Sequence, residues 1–123
     1  MDFSKLFMHE TETVNFDAGA YILKRGEYGR MMYVLLAGEA EISLGGAVVE
    51  IARPGTLLGE LALIDPGPGT ADVLAKTDCR LVAIDERRFQ FLVQQTPNFA
   101  LDVMKVLANR LRAMNSRLET ATG

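Results

Sequence analysis

Residues 54–75 carry the most informative sequence of this chain, PGTLLGELALI over residues 54–64 followed by DPGPGTADVLA over residues 65–75. The apolar run ending at Gly59 predicts a strand, Glu60 begins a short apolar helical turn, and a loop rich in Pro and Gly leads back into a strand. The first N–H groups of such a turn can hold an anion. Because Glu60 is a lone carboxylate among apolar neighbours, it either pairs locally or accepts hydrogen bonds from the hydroxyls of a ligand.

Short apolar segments separated by glycines extend on both sides of this stretch. They are rich in β-branched residues, which is typical of strands, and their number predicts a small all-β roll, sandwich or barrel. Gly45 and Gly46 predict a tight hairpin, because glycine adopts positive φ without a Cβ penalty. The predicted strands are residues 13–16, 21–23, 32–36, 41–44, 48–51, 72–75 and 80–84.

After residue 84 the pattern becomes helical. Asp85 can cap a short helix that ends before Pro97, and Asn98 can cap a second, longer helix. On the second helix apolar residues recur at alternating steps of four and three, the pattern of a coiled-coil seam. This seam either packs on the chain's own roll or binds a partner helix, and its continuation along the helix favours a homodimer. The seam consists of Ala100, Met104, Leu107, Leu111, Met114 and Leu118.

The composition excludes several classes of function. The chain has 123 residues, enough for one domain, and its net charge of −3 disfavours a DNA or RNA partner. One histidine, His9, and one cysteine, Cys79, leave no metal site of several His or Cys ligands and no internal disulfide. No apolar run approaches the roughly 20 residues of a membrane span. We therefore expect a cytoplasmic protein that is not an enzyme and has no catalytic residues, cofactor or metal. We also expect His9 to be exposed and Cys79 to be buried or half-buried.

Nine short motifs lie along nearly the whole chain: FDAG (16–19), KRGE (24–27), MYVLLAG (32–38), PG (54–55), GELAL (59–63), TDCRL (77–81), RF (88–89), Pro97 and LANRL (107–111). Taken together, they resemble the motifs of the cyclic nucleotide-binding domains, the family of the catabolite activator protein-like sensor domains. The resemblance implies an eight-stranded, jelly-roll-like β-roll over about residues 10–84, with flanking helices over about residues 85–118, the last of which is the dimer helix in activator-like members. The length predicts a single domain over residues 1–123, and we expect no DNA-binding domain because no helix-turn-helix segment follows Leu118.

By the same resemblance, residues 59–62 form the phosphate-binding cassette for a cyclic nucleotide, cAMP or cGMP. Glu60 would accept a hydrogen bond from the ribose 2′-OH, and the N–H groups of Leu61 and Ala62 would face the ribose or the phosphate. Thr70 matches a position that bonds the phosphate or a guanine. Asn115 on the final helix falls where activator-like members meet the purine across the dimer, and the implied ligand site also includes Gly59, Gly69 and Ala71.

The cassette departs from the family pattern at two positions. Gly69 replaces the arginine that pairs with the phosphate, and Asp72 replaces a serine or threonine. Loss of the arginine removes a charged hydrogen bond worth roughly 1.5–3 kcal/mol, and Arg30 or Arg53 are candidates to replace its charge. Two functions are therefore compatible with the sequence. One is a regulatory sensor that binds a cyclic nucleotide or related small ligand and signals to a protein partner, and the other is a ligand-incompetent roll that acts as a dimerisation or protein-interaction module.

Overall fold

The computed structural model describes residues 2–65 and 67–122. Its backbone contacts divide the chain into two compact units, the first ending at Phe89 and the second beginning at Gln90. A 3-10 helix, Ser4–Phe7, comes before the first strand. The remaining elements are β1 Val14–Phe16, β2 Tyr21–Leu23, β3 Met32–Ala37, β4 Ala40–Leu44, β5 Ala47–Ala52, β6 Leu57–Leu58, α1 Leu61–Ile64, β7 Asp72–Ala75, β8 Cys79–Ile84, α2 Glu86–Gln95 and α3 Pro97–Thr122.

The eight strands form two antiparallel four-stranded sheets, ordered β1-β8-β3-β6 and β2-β7-β4-β5. Strand β7 shows the alternation that a core between two sheets requires, because Val73 and Ala75 are buried while Asp72 is only half-buried. This architecture confirms the predicted β-roll. Both sheets contribute to the core, which contains Ile22, Leu35, Ala40, Ile42, Ala52, Leu58, Val73, Ala75, Cys79 and Leu81.

The strand boundaries agree closely with the glycine-punctuated segments of the sequence. The hairpin between β4 and β5 is confirmed, because Gly45 and Gly46 have φ of +57° and +85°, the left-handed values that a two-residue turn requires. The 3-10 helix was not predicted from the sequence. It is part of the first unit, and it anchors the amino-terminal segment there because Phe3 and Phe7 are 2% and 4% exposed.

Helices α2 and α3 lie where the sequence predicted a short and a longer helix, and one predicted boundary is corrected. Asp85 caps α2 as expected, since its Oδ1 accepts a hydrogen bond from the Arg88 N–H at 2.8 Å. Helix α3 begins at Pro97 rather than after Asn98. Proline is favoured in the first helical turn because its missing N–H has no intrahelical partner there. Within the described residues, no helix is both long enough and apolar enough to cross a membrane.

Candidate functional site

Glu60 lies between the end of β6 and the start of α1 and is 5% exposed. Among the residues whose side chains the structure describes, Glu60 is the one charged residue that is buried. Its side chain makes no capping hydrogen bond to α1, although it occupies the N-cap position. Every buried side-chain oxygen or nitrogen in the described residues has a hydrogen-bond partner, so the Glu60 carboxylate is held in a satisfied, water-poor position.

Gly59 makes this placement of Glu60 possible. Its φ is +71°, a left-handed conformation that residues with a Cβ rarely adopt. A Cβ at this position would also lie 3.0 Å from Leu23 Cδ1 and 3.3 Å from the carbonyl oxygen of Met31. A residue with a Cβ would therefore be strained at position 59, and glycine favours the sharp turn from β6 into α1.

The backbone N–H groups of α1 are largely used within the turn. Ala62 N–H, which the resemblance assigns to a ligand, donates to the Gly59 carbonyl at 3.1 Å. The N–H groups of Leu63 and Ile64 both donate to the Glu60 carbonyl, at 3.2 and 3.3 Å. A ligand would therefore compete with an internal hydrogen bond at Ala62, and the ligand roles of Leu61 and Ala62 stay predictions.

The second half of the predicted cassette, Gly69, Thr70 and Ala71, lies in the loop before β7. Gly69 pairs through its backbone with the segment between β2 and β3: its N–H donates to the Glu27 carbonyl and its carbonyl accepts from the Gly26 N–H, each at 2.9 Å. Thr70 is exposed, whereas Ala71 is half-buried and packs against the core. The loop is thus held in place by its main chain.

Asp72 forms a hydrogen bond with the backbone of the connection between β2 and β3. Its Oδ1 accepts a hydrogen bond from the Arg25 N–H at 2.9 Å. Because Ala71 and Val73 pack with the core, the alternation of β7 directs Asp72 to the other face of the sheet. Its carboxylate therefore stabilises the start of the connection between β2 and β3.

The β2–β3 connection, residues 24–31, contacts both halves of the predicted cassette. Besides the hydrogen bonds to Gly69 and Asp72, it forms an isolated bridge between Tyr28 and Pro68. A Cβ on Gly29 would lie 3.3 Å from the Cβ of Ala62, so this connection also packs against α1. Sequence reasoning included residues 24–27 in the family resemblance and named Arg30 as a candidate cation. It did not predict these contacts, because they join residues more than thirty positions apart.

Charge is distributed unevenly around the cassette. Residues 54–75 contain three carboxylates and no lysine or arginine, and Arg53 lies just outside the segment. The β2–β3 connection contributes the cations Lys24, Arg25 and Arg30. Lys24 Nζ lies 5.2 Å from the centre of the Tyr21 ring, a cation–π distance. Positive charge near the cassette therefore comes from another part of the chain.

His9 and Cys79 lie where the sequence predicted. His9 is exposed, and Cys79 is 3% exposed within the core. Burial raises the pKa of the Cys79 thiol, and the nearby carboxylate of Asp78 adds to this shift. The thiol is therefore protonated and unreactive at neutral pH. No group of three or more His, Cys, Asp or Glu side chains suited to a metal ion occurs in the described residues.

Helix α3 belongs to the second unit and carries the predicted seam. Four of the six seam residues are strongly exposed, namely Met104 at 61%, Leu111 at 59%, Met114 at 44% and Leu118 at 60%. Ala100 and Leu107 are half-buried. Asn115 is exposed, as is every residue from 111 to 120. Its contact with a purine and the homodimer stay predictions.

Comparison with known proteins agrees with this architecture. The sequence profile of the family described as the cyclic nucleotide-binding domain matches residues 13–96. The chain is 28% identical over 114 residues to the "CRP-like cAMP-activated global transcriptional regulator" of Mycobacterium tuberculosis, covering 89% of this chain and 51% of that protein. It is 37% identical over 89 residues to a "cAMP-dependent protein kinase regulatory subunit" of Emericella nidulans, covering 71% of this chain and 22% of that protein.

Solved structures show the same fold. The crystal structure of Thermus thermophilus Catabolite Activator Protein superimposes with a TM-score of 0.82 at 26% identity, covering 97% of this chain and 58% of that chain. The chain spans about half the length of the first of the two curated relatives, 51%, and about a fifth of the second, 22%. With the profile match, the two sheets and the long final helix, the chain belongs to the cyclic nucleotide-binding domain family.

Proposed function

We propose that this chain is a regulatory sensor domain that binds a cyclic nucleotide, cAMP or cGMP, or a related small ligand at the cassette around Glu60. The observation that carries the proposal is the burial of this carboxylate, 5% exposed, at the turn from β6 into α1. A carboxylate can accept several hydrogen bonds, so Glu60 can keep its present partner and also accept one from a ribose hydroxyl. Relatives whose names describe them as cAMP-activated or cAMP-dependent support the choice of ligand.

The remaining ligand contacts that we propose lie around Glu60. Leu61 and Ala62 would offer backbone N–H groups, with the Ala62 N–H released from the Gly59 carbonyl on binding. The exposed hydroxyl of Thr70 would contact the phosphate or a guanine. Gly59, Gly69 and Ala71 would shape the site through their backbone, and we propose no catalytic role for any of these residues.

Calorimetry with cAMP and cGMP on the purified chain tests this proposal. Glu60→Ala is expected to weaken binding by about 10- to 150-fold, because the ribose hydroxyl loses a charged acceptor worth roughly 1.5–3 kcal/mol. Glu39→Ala is the matched control, since Glu39 is an exposed carboxylate in the turn between β3 and β4. Binding to Glu60→Ala with wild-type affinity would contradict the proposed role of Glu60, provided that circular dichroism shows both variants folded.

We further propose that α3 joins two copies of the chain and passes a ligand-dependent change to an unidentified protein partner. The exposed apolar residues Met104, Leu111 and Leu118 support a helix partner, because a solvated helix face is ordinarily polar. The setting that we propose is the cytoplasm, with no contact to DNA or membrane, and with the described elements acting as one domain.

A second function is a roll that binds no ligand and acts as a dimerisation or protein-interaction module. Gly69 favours it, since the loop that would hold the phosphate is closed by backbone hydrogen bonds to Gly26 and Glu27. Calorimetry together with light scattering distinguishes the two functions. The module would release no binding heat with cAMP or cGMP at millimolar concentration while remaining dimeric in light scattering.

A further inference from the structure

The cassette lacks a positive charge of its own. Residues 54–75 include Glu60, Asp65 and Asp72 but no lysine or arginine. A phosphate that moves from water into a partly buried site requires compensation, and backbone N–H groups supply only part of it. At Gly69 the structure also leaves little room for a side chain, because a Cβ would lie 3.0 Å from the Lys24 carbonyl oxygen and 3.1 Å from that of Glu27. A compensating cation must come from elsewhere in the chain.

Arg30 lies beside the cassette. Its two neighbours both contact the turn: a Cβ on Gly29 would lie 3.3 Å from Ala62 Cβ, and a Cβ on Gly59 would lie 3.3 Å from the Met31 carbonyl oxygen. Residue 30 is thereby held between the two ends of the Gly59–Ala62 turn. Its side chain is exposed, and within the described residues its guanidinium forms no ion pair or hydrogen bond. It can therefore turn toward a ligand without breaking an existing contact.

Other nearby cations are less suitable. Lys24 is engaged with the Tyr21 ring at 5.2 Å. Arg25 has its own backbone N–H bonded to the carboxylate of Asp72, so a negative charge beside it competes for its guanidinium. Arg53 lies before β6, at the end of that strand opposite Gly59. Of these four cations, Arg30 is the one flanked by cassette contacts and without a carboxylate or aromatic partner.

We infer that Arg30 supplies the charge that pairs with the phosphate of the ligand, in place of the side chain missing at Gly69. This inference rests on the proposed cyclic-nucleotide function and adds the residue that selects a phosphate-bearing ligand over an uncharged nucleoside. The charge enters from the β2–β3 connection, so ligand binding draws residues 24–31 closer to α1. Since Arg30 is exposed, its contribution is sensitive to ionic strength.

Calorimetry with two ligands tests the inference. Cyclic AMP carries the phosphate, whereas adenosine keeps the purine and the ribose 2′-OH without it. Arg30→Ala is expected to weaken cAMP binding by at least about tenfold and to leave adenosine binding within about twofold. Arg80→Ala removes another exposed arginine, on β8, and is the matched control, with cAMP affinity unchanged.

The other possible calorimetric results would contradict the inference or assign the charge to another arginine. Unchanged cAMP affinity in Arg30→Ala overturns the inference, and a loss in Arg25→Ala or Arg53→Ala instead would assign the charge to that residue. Equal affinity of the wild type for adenosine and cAMP also overturns it, because no cation would then favour the phosphate. If the wild type binds neither ligand, the proposed cyclic-nucleotide function fails together with the inference.

Discussion

Gly69 contributes to the fold through its backbone alone. Its N–H and carbonyl join the cassette loop to Glu27 and Gly26, an arrangement that a side chain at residue 69 would crowd. Its φ is not in the left-handed region, so the obstacle to substitution is the approach of the two carbonyl oxygens and not the backbone conformation. A neighbour at 3.0–3.1 Å must move by a few tenths of an ångström before a Cβ fits. The cost of a side chain here is therefore steric and moderate.

Restoring an arginine at residue 69 separates this steric cost from the electrostatic gain. Gly69→Arg is expected to bind cAMP at least about tenfold more tightly than Gly69→Ala, because both variants carry the Cβ and only one carries the charge. The difference should be larger in an Arg30→Ala background, since the two cations would serve the same phosphate. Isothermal titration of the four variants measures both effects. Equal affinities of Gly69→Arg and Gly69→Ala would show that position 69 does not face the ligand.

Helix α2 is joined to the amino-terminal segment by an ion pair within the first unit. Arg88 Nη2 lies 2.7 Å from Glu10 Oε2, and Arg88 Cζ lies 5.1 Å from the centre of the buried Phe7 ring. The hydrogen bond from Arg88 holds the pKa of Glu10 below its usual value of 4.5. The 3-10 helix and the start of α2 are therefore linked through one guanidinium.

This ion pair predicts a pH dependence of stability. Because the pKa of Glu10 is lower in the folded state, its stabilisation is complete above about pH 4.5 and is lost as the pH falls through the folded-state pKa. Glu10→Gln is expected to lower the free energy of unfolding by about 1 kcal/mol at pH 7, and by less at pH 3, since Arg88 is partly exposed. Urea unfolding at the two pH values measures this. An equal loss at both would contradict the ion-pair explanation.

The second unit contains α3, the helix that we propose as the dimer contact. Helix α3 is 26 residues long, Pro97–Thr122, and it exposes large apolar side chains along much of its length. Residues 98–123 carry a net charge of +2, whereas the chain as a whole carries −3. An apolar seam between basic flanks can pair in a coiled coil, although like charges at the flanks oppose tight association. The seam is thus a candidate for a reversible dimer contact.

Leu111→Asp tests the homodimer. Leu111 is 59% exposed in the single chain, so the substitution leaves the core of one copy intact. In a dimer the carboxylate would be buried without a partner, and the variant is expected to be monomeric at tens of micromolar while the wild type is dimeric. Multi-angle light scattering distinguishes the two. Lys105→Asp, an exposed charge outside the predicted seam, is the control and should stay dimeric.

Local sequence patterns predicted most of the elements and the position of the turn that contains Glu60. The spacing of glycines located seven strands, and Gly59 followed by Glu60 located the turn where the one buried carboxylate of the described side chains lies. Two features were missed or misplaced. The 3-10 helix Ser4–Phe7 has no strong periodic pattern, and α3 begins at Pro97 because proline suits a first helical turn better than the cap predicted at Asn98.

The sequence by itself determined the strands, the Gly45-Gly46 hairpin, helices α2 and α3 and the absence of a cation from residues 54–75, because each depends on residues close together in the chain. Only the tertiary structure decided that Asp72 binds the Arg25 backbone, that Gly69 pairs with the β2–β3 connection and that Arg30 lies beside α1. These contacts join residues about thirty to fifty positions apart. They follow from the pairing of strands across the two sheets, which no local pattern encodes.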